Sequence, residues 1–415
     1  MPTTPAMKFA SAWTDAADPD AACDRLAGEL HAQVGTEPDL LIVFLSQHHL
    51  PNAEALLARL RSALKPRLLL AVSAESVIGG TRELERTPAV TALAGVLPGV
   101  TLRPLDEHDL DRPSAKSLAE HLQSFDGRAP QGLLLFADPF TVPIISRLQR
   151  LGTAFPDLAV AGGLASAGRG PGGNLIARDD QLRTDGLVGV ALFGSVRMDT
   201  LVSQGCKPIG PDLVIDQSKR NLVSSLGGKP AMDALKAVLD TLEESDRAIV
   251  RTGLFIGRAI DESKPRFGRG DYLVRAVVGA DPGRGYLAFD EPIEPGQTVR
   301  FHLRDAETAR SDLELLLNIQ QLHGPPAGAL LMTSTGRGER LFGTPDFDAR
   351  TIARAFQQPL PGEQSARAGQ AIEVTPHAAI PLAGMHAAGE IGPVGGTPFL
   401  HGHAACLALF RPPAE

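Results

Sequence analysis

The amino-acid sequence predicts an α+β fold, in which mixed β-sheets are covered by helices and the chain forms two closely associated domains. At 415 residues the chain is too long for one ordinary hydrophobic core. In its first half, stretches with helical spacing of apolar residues alternate with short continuous apolar runs. In its second half, strands outnumber helices and follow one another in antiparallel fashion. A layered αββα arrangement is compatible with this pattern, and a single doubly wound sheet is not expected.

Composition and charge exclude several classes of protein. Hydrophobic residues make up 43% of the chain, so most of it is expected to be ordered. The 48 acidic and 40 basic residues give a formal net charge of -8, which disfavours nucleic acid as a partner. The first 20 residues lack the apolar core of a signal sequence, and the apolar runs are too short to span a bilayer. Three widely spaced cysteines suit a reducing compartment, so we expect a cytoplasmic protein with no membrane insertion.

The first half of the chain predicts helices and buried strands in alternation. Apolar positions at helical spacing predict a helix over residues 20–34, and Asn52 is a candidate cap for a second helix. Continuous apolar runs predict strands at 39–46, 68–73, 132–137 and 186–194, with residues 8–13 as a candidate edge strand. The strands near residues 73 and 161 run directly into small polar residues and glycines, where a ligand could reach backbone N–H groups. An ordinary tight turn is the alternative at both places.

The second half begins after a Gly- and Pro-rich stretch, residues 205–210, that predicts a hinge. A helix is expected over 231–242, followed by a β-hairpin whose turn is residues 281–284. Asp305 is placed to cap a long helix that follows a strand at 298–303. A last strand is predicted over 398–410, with His401 and His403 on one face.

Three strand ends in the second half could hold a ligand. They carry the sequences FHLRDA (301–306), TSTGRG (333–338) and GEIGPVGG (389–396). The guanidinium of Arg337 suits a carboxylate in bidentate geometry, and Glu390 suits an ammonium group. A structural ion pair, between Arg337 and Glu390 or another acidic neighbour, is the alternative. The glycines would let a ligand approach the backbone.

These and other segments closely resemble the FIST family, a name that stands for F-box and intracellular signal transduction. The matching segments are SAESVIGG (73–80), QGCKPIG (204–210), FHLRDA (301–306), GRG (336–338) with LFG (341–343), and GEIGPVGG (389–396) with FLHG (399–402). They occur in the family's order. The resemblance implies a lead-in strand and helix over 1–36, a FIST N-terminal domain over 37–217 and a FIST C-terminal domain over 218–411.

The resemblance also implies a function, since family members are regarded as sensory modules for small ligands, with amino acids proposed. No signalling domain accompanies the motifs, so the output is expected to pass through a separate signalling protein. The sequence departs from the family at residues 333–335, where many relatives have a cysteine before the Gly-Arg-Gly. It also departs at His403, which replaces a more usual aromatic residue, and over 358–376, which predicts an additional Pro- and Gly-rich loop.

We therefore expect a sensory protein that binds an amino acid or another small carboxylate in a cleft between the domains. The candidate ligand-binding residues are Ser73, Glu75, His302, Arg304, Arg337, Gly338, Glu390, Gly392, Gly395 and His401. One alternative is a hydrolase that uses Ser73 or Cys206 with His302 or His401, although no nucleophile elbow or phosphate-binding loop supports it. The other alternative is an adaptor whose glycine loops dock a protein partner. No catalytic residue, metal ligand or cofactor is predicted.

Overall fold

The structure is a computed structural model, and it describes residues 6–250, 253–268, 270–357 and 380–413. The chain divides into two compact units. The first contains Met1–Val202, Glu314–Leu400 and Ala405–Glu415, and the second contains Ser203–Leu313 and His401–Ala404. The predicted additional loop at 358–376 lies outside the described residues. Within the ranges described, none of the helices combines the length and the apolar composition that a membrane-spanning helix requires.

Both helices and strands are abundant, which confirms the α+β class. The strands are β1 Lys8–Thr14, β2 Leu40–Ser46, β3 Leu68–Ala74, β4 Ser76–Gly79, β5 Arg82–Glu85, β6 Val90–Val96, β7 Val100–Asp106, β8 Gly132–Ala137, β9 Ala159–Leu164, β10 Ile176–Arg178, β11 Gln181–Arg183, β12 Leu187–Gly194, β13 Arg197–Ser203, β14 Cys206–Lys219, β15 Leu222–Leu226, β16 Lys229–Pro230, β17 Leu254–Ala259, β18 Tyr272–Asp281, β19 Tyr286–Phe289, β20 Thr298–Arg304, β21 Gly328–Ser334, β22 Leu382–Ala387, β23 Glu390–Val394, β24 Thr397–His401 and β25 Ala405–Arg411. The α-helices are α1 Pro19–Val34, α2 Ala53–Leu64, α3 Glu107–Leu110, α4 Ala115–Gln123, α5 Ile144–Ala154, α6 Ala231–Asp240, α7 Glu244–Val250, α8 Ala306–Gln321, α9 Glu339–Phe342 and α10 Phe347–Ala355.

The first unit contains three six-stranded sheets. Sheet A has the order β1-β6-β2-β3-β10-β11, sheet B the order β13-β25-β21-β22-β4-β5, and sheet C the order β24-β23-β9-β8-β12-β7. Each sheet contains both antiparallel neighbours and a parallel pair, and these parallel pairs are β2–β3, β21–β22 and β8–β9. The predicted mixed sheets are thus confirmed, and β1 is the edge strand that the sequence indicated.

The apolar strands bury both faces, and this creates the layers of the first unit. Alternate residues of β2 face two different cores: Ile42 and Phe44 lie in a central core to which all three sheets contribute, whereas Leu41 and Val43 pack with α1 and α2. Strand β8 of sheet C alternates in the same way between the central core and a core shared with α4 and α5. Sheets A and C therefore lie between two outer layers of helices, as in an αββα arrangement.

The second unit is a small antiparallel barrel. Its strands follow the order β14-β20-β17-β18-β19-β15, and the barrel closes because β15 also pairs with β14. Strand β14 pairs with both β20 and β15 because it bends at an irregularity in its register with β20, between Ile209 and Leu213. A single core with Phe289 and Phe301 at its centre fills the barrel, and α6 packs on it.

Three local predictions differ from the structure. The predicted hinge at 205–210 is wrong, because most of it belongs to β14, whose Pro208 and Gly210 are accommodated beside the register irregularity. The predicted strand at 398–410 is two strands, since the chain bends at 402–404. The predicted ligand-accessible loop at 73–80 mostly forms β4, which pairs with β22 and β5.

The predicted helix caps have different outcomes. Asn52 precedes α2 without a side-chain capping bond. Asp305 does cap α8, by accepting a hydrogen bond from the Thr308 N–H at 2.7 Å. Asn52 therefore stands at the predicted N-cap position but makes no capping bond. The capping role of Asp305 is confirmed.

Candidate functional site

One face of sheet B collects polar side chains from distant parts of the sequence. Residues directly opposite each other on neighbouring strands share a face of the sheet. The register places Thr333 of β21 opposite His386 of β22. On β4 and β5, Ile78 lies opposite both Gly384 and Glu83, so Glu83 is on the same face as His386. The opposite face of these strands contributes apolar side chains to the central core, whereas the face with the polar side chains packs against α10.

Arg337 lies in the loop that follows β21 and is fully buried with Asp348 of α10. Its Nε and Nη2 groups donate to the two carboxylate oxygens of Asp348, each at 2.9 Å. The Thr333 hydroxyl donates to the same carboxylate, and the Phe342 ring lies 5.2 Å from the guanidinium carbon. Burial alone lowers the pKa of Arg337, but the carboxylate of Asp348 outweighs this effect and the pKa is raised. The sequence left open which acidic residue pairs with Arg337, and the structure identifies that residue as Asp348.

Further carboxylates surround this ion pair. Glu83 and Glu390 are both buried and interact electrostatically with Arg337. Burial raises the pKa of the Cys406 thiol well above its ordinary value, and Glu390 contributes in the same direction. The carboxyl groups of Asp348, Glu83 and Glu390 thus outnumber the guanidinium group that they surround. We call Thr333, Arg337, Asp348, Glu83, Glu390 and His386 the polar cluster.

Glu83, Glu85 and His386 could hold a metal ion. One potential ligand atom from each side chain lies within 4.8 Å of the other two. Glu83 Oε2 is 3.4 Å from His386 Nε2, and neither atom has a hydrogen-bond partner among the described residues. The other oxygen of Glu83 accepts the Ala349 N–H at 3.0 Å, and Glu85 Oε1 accepts the Glu339 N–H at 2.7 Å. Backbone groups therefore fix the orientation of both carboxylates.

Ser73 and Glu75, two candidate residues, lie beside this region in structural roles. The Ser73 hydroxyl is buried and accepts the Leu175 N–H at 2.8 Å. The Glu75 N–H donates to Ser166 Oγ at 2.9 Å, and the same hydroxyl donates to the carbonyl oxygen of His386. Ser166 thus ties the end of β3 to β22. A buried serine engaged with the backbone gives no support to the hydrolase alternative.

The candidate glycines lie where a side chain would clash or strain the backbone. A Cβ on Gly338 would lie 2.3 Å from Glu85 Oε1, and one on Gly392 would lie 2.9 Å from Cys406 Sγ. Gly395 has a φ of +57° in the turn between β23 and β24. Packing and turn formation account for these glycines, and their contact with a ligand stays a prediction.

His302, Arg304 and His401 belong to the second unit. His302 Nδ1 lies 2.9 Å from the carbonyl oxygen of Arg300, and burial lowers the pKa of His302 to about 4. Arg304 ends β20 opposite Cys206, which is a buried thiol, and His401 is a buried residue at the end of β24. The structure brings Arg337, Gly338 and Glu390 together in the first unit. The ligand role of the three residues of the second unit stays a prediction.

Sequence reasoning missed Asp348, Glu83, Glu85 and His386. His386 stands in a strand that reads as a run of small and apolar residues, with no polar neighbour to mark it. Glu83 and Glu85 do alternate with Leu84, which is a strand signal. The alternation could have predicted that they share a face. It could not have predicted that this face is buried beneath α10.

Comparison with known proteins identifies the family of the chain. The FIST N domain model matches residues 39–229 and the FIST C domain model matches residues 231–393. An uncharacterised protein of Mycobacterium tuberculosis is 36% identical over 393 residues, which cover 94% of this chain and 96% of the relative. An uncharacterised protein of Mycobacterium bovis is 36% identical over 390 residues, which cover 93% and 92%. The chain belongs to the FIST family, whose domains are associated with signal transduction and the sensing of small ligands.

Proposed function

We propose that this protein is a sensory module that binds an amino acid or another small carboxylate and passes the signal to a separate protein. The observation that carries the proposal is the Nη1 group of Arg337. It is buried and has no hydrogen-bond partner within the described ranges, whereas Nε and Nη2 each donate to Asp348. Buried donors without a partner are rare in folded proteins and call for an explanation. A ligand carboxylate would accept from Nη1 in a charge-assisted hydrogen bond.

The charge of the polar cluster supports the amino acid in particular. Asp348 already pairs with Arg337, and two further buried carboxyl groups, of Glu83 and Glu390, also interact electrostatically with it. Carboxyl groups suit an ammonium group, and an α-amino acid carries an ammonium and a carboxylate on the same carbon. The cluster therefore presents a donor and an excess of carboxylates, which complement the two charged groups of such a ligand.

The burial of Arg337 would couple ligand binding to a conformational change. Arg337 has 0% exposure, so a ligand can reach Nη1 only when the elements packed over it move. A ligand that binds the opened arrangement better than the closed one shifts the population towards the opened arrangement. A sensory protein needs this coupling between occupancy and conformation.

A thermal-shift experiment tests the proposal. The purified chain is melted alone and with each of the twenty amino acids and a series of small mono- and dicarboxylic acids. A ligand that binds the folded state raises Tm by mass action, by roughly 3 °C at a hundred times its Kd for a chain of this length. We expect such an increase in Tm for the compounds of one chemical class in this panel. If no compound raises Tm at millimolar concentration, the proposal is wrong.

The variant for this test is Glu390→Gln, which keeps the shape of the side chain and removes one charge. Arg337→Ala is unsuitable, because it leaves Asp348 as an uncompensated buried charge at a cost of about 3–5 kcal/mol. Glu29→Gln, the same change at an exposed position of α1, is the matched control. The ligand-induced increase in Tm should be lost in Glu390→Gln and retained in Glu29→Gln. Equal increases in both would show that the ligand binds elsewhere.

The cytoplasm is the proposed location. Cys23, Cys206 and Cys406 are all buried thiols without disulfide bonds, as expected for a reducing compartment. Labelling of these cysteines with a thiol reagent after rapid denaturation of cells would measure their redox state. Substantial disulfide formation in vivo would contradict the proposed location.

A further inference from the structure

We propose that Glu83, Glu85 and His386 bind a divalent first-row transition-metal ion, of which Zn²⁺ is the best fit. The proposal goes beyond the proposed amino-acid sensing, which is carried by Arg337 Nη1 and tested at Glu390, although Glu83 contributes to both. Two carboxylates and one imidazole form a mixed oxygen and nitrogen donor set, which suits such ions better than Mg²⁺ or Ca²⁺. Two negative charges also match the charge of the ion.

The positions of the three side chains follow from the sheet. Glu83 and Glu85 are two residues apart on β5 and therefore project from the same face. His386 projects from that face on β22, with β4 between the two strands. Long glutamate side chains reach across β4 towards the imidazole, and this brings the three potential ligand atoms within 4.8 Å of one another.

The distance between Glu83 and His386 fits two ligands of a common ion. Glu83 Oε2 and His386 Nε2 are 3.4 Å apart and make no hydrogen bond with each other or with another described residue. Two ligands at about 2.1 Å from a tetrahedral Zn²⁺ are separated by about 3.4 Å. Both side chains are at least nine-tenths buried, with exposures of 4% and 1%, so water does not readily replace the missing partners.

The surrounding backbone holds the carboxylates as a metal site requires. The N–H groups of Ala349 and Glu339 each bind one carboxylate oxygen, of Glu83 and Glu85 respectively. Contacts of this kind orient metal ligands and contribute to metal affinity. Gly338 closes the site on one side, because a Cβ there would lie 2.3 Å from Glu85 Oε1 and 2.9 Å from His386 Cε1. Three protein ligands leave one tetrahedral position open for water or another small ligand.

Metal binding to the full chain tests the proposal. The protein is stripped with a chelator and titrated with Zn²⁺ in a metal-buffered solution, with Mg²⁺ for comparison. We expect one Zn²⁺ per chain, and Co²⁺ in its place should give the visible absorption of a tetrahedral site. Mg²⁺ should bind at least about 100-fold more weakly.

Two variants and one control complete the design. Glu85→Gln changes the most accessible ligand and should lower Zn²⁺ affinity at least about 10-fold, the lower end of the effect of changing even a supporting residue. His386→Gln should abolish the stoichiometric binding. Glu29→Gln is the matched control, because it makes the same change at an exposed position of α1 and should leave Zn²⁺ binding unaltered. Circular dichroism verifies that each variant is folded.

Two results would overturn the proposal. One is the absence of stoichiometric Zn²⁺ or Co²⁺ binding at micromolar free metal. The other is binding that survives both Glu85→Gln and His386→Gln. Glu390→Gln should retain metal binding whatever its effect on amino acids, so failure of this proposal is distinguishable from failure of the sensory function.

Discussion

Arg337 carries a full charge into the interior of the first unit, and its neighbours explain how the fold tolerates it. The bidentate bond with Asp348 satisfies two of its donor groups, and the Phe342 ring lies beside the guanidinium. A buried pair of this kind contributes little net stability, because desolvation of both charges offsets their attraction. Its presence is therefore better explained by a specific arrangement of the polar cluster than by stability. Desolvation is also costly for the Nη1 group of Arg337, which has no hydrogen-bond partner among the described residues. This cost is the reason why we connect Nη1 with a ligand.

His302 gives a residue-scale prediction about pH. Burial lowers its pKa to about 4 from an ordinary value of 6.5. Between these values the unfolded chain binds a proton that the folded chain does not, so the free energy of unfolding decreases as pH falls through this window. From pH 7 to pH 5 the expected loss is about 2 kcal/mol. His403, whose pKa burial also lowers to about 4, acts in the same direction.

Urea denaturation at pH 7 and pH 5 measures this loss. His302→Gln should remove the part of the pH dependence that His302 contributes, while His403 leaves a remainder. His108→Gln is the control, since the His108 side chain is 83% exposed and should not alter the dependence. An unchanged difference between the two pH values in His302→Gln would refute the assignment.

At the scale of elements, the parallel pair β21–β22 creates the candidate site. Parallel neighbours end at the same edge of a sheet, so the loop with Arg337 and the chain that leads to Glu390 begin side by side. The antiparallel hairpin β4–β5 then adds Glu83 and Glu85 on the other side of β22. Pairing of strands from both ends of the chain therefore assembles the polar cluster.

Gly384 of β22 gives a prediction at this scale. A Cβ there would lie 1.9 Å from the carbonyl oxygen of Leu331 on β21, so Gly384→Ala has to displace one strand. We expect a loss of about 1–3 kcal/mol in the free energy of unfolding, together with weaker Zn²⁺ binding because His386 moves. Gly28→Ala is the matched control: Gly28 lies in α1 with no atom near its would-be Cβ, and alanine should stabilise by about 0.5–1 kcal/mol. Equal stability of the two variants in urea denaturation would contradict this.

At the scale of the whole molecule, the compact units and the predicted domains divide the chain differently. The second unit is almost continuous in sequence and contains every strand of the barrel together with its core. The first unit combines residues from both ends of the chain. The predicted boundary between residues 217 and 218 falls inside β14 and stays a prediction.

Expression of fragments distinguishes the division into compact units from the predicted domain boundary between residues 217 and 218. We expect residues 203–313 to fold alone, because the barrel closes its own hydrogen bonding and the core lies within the fragment. The measurements are far-UV circular dichroism and the cooperativity of thermal unfolding. Residues 218–411 serve as the comparison, and cooperative unfolding of this fragment alone would support the sequence-based boundary.

Much of the local structure was predictable because it depends on neighbouring residues. The continuous apolar runs of β2, β3 and β8 indicate strands buried on both faces, and the helical spacing before β2 indicates α1. The bend at 402–404 and the strand character of 206–210 were missed. In both cases, pairing with a distant strand decides the outcome, and a local pattern does not contain that information.

The sequence by itself determined the α+β class, the family and two of the residues of the polar cluster, Arg337 and Glu390. These follow from periodicity, composition and ordered motifs, which are properties of short segments. The tertiary structure alone decided that Arg337 pairs with Asp348 and that Glu83, Glu85 and His386 converge. Those contacts join residues up to about 300 positions apart, and burial and strand register, which only the folded chain has, bring them together.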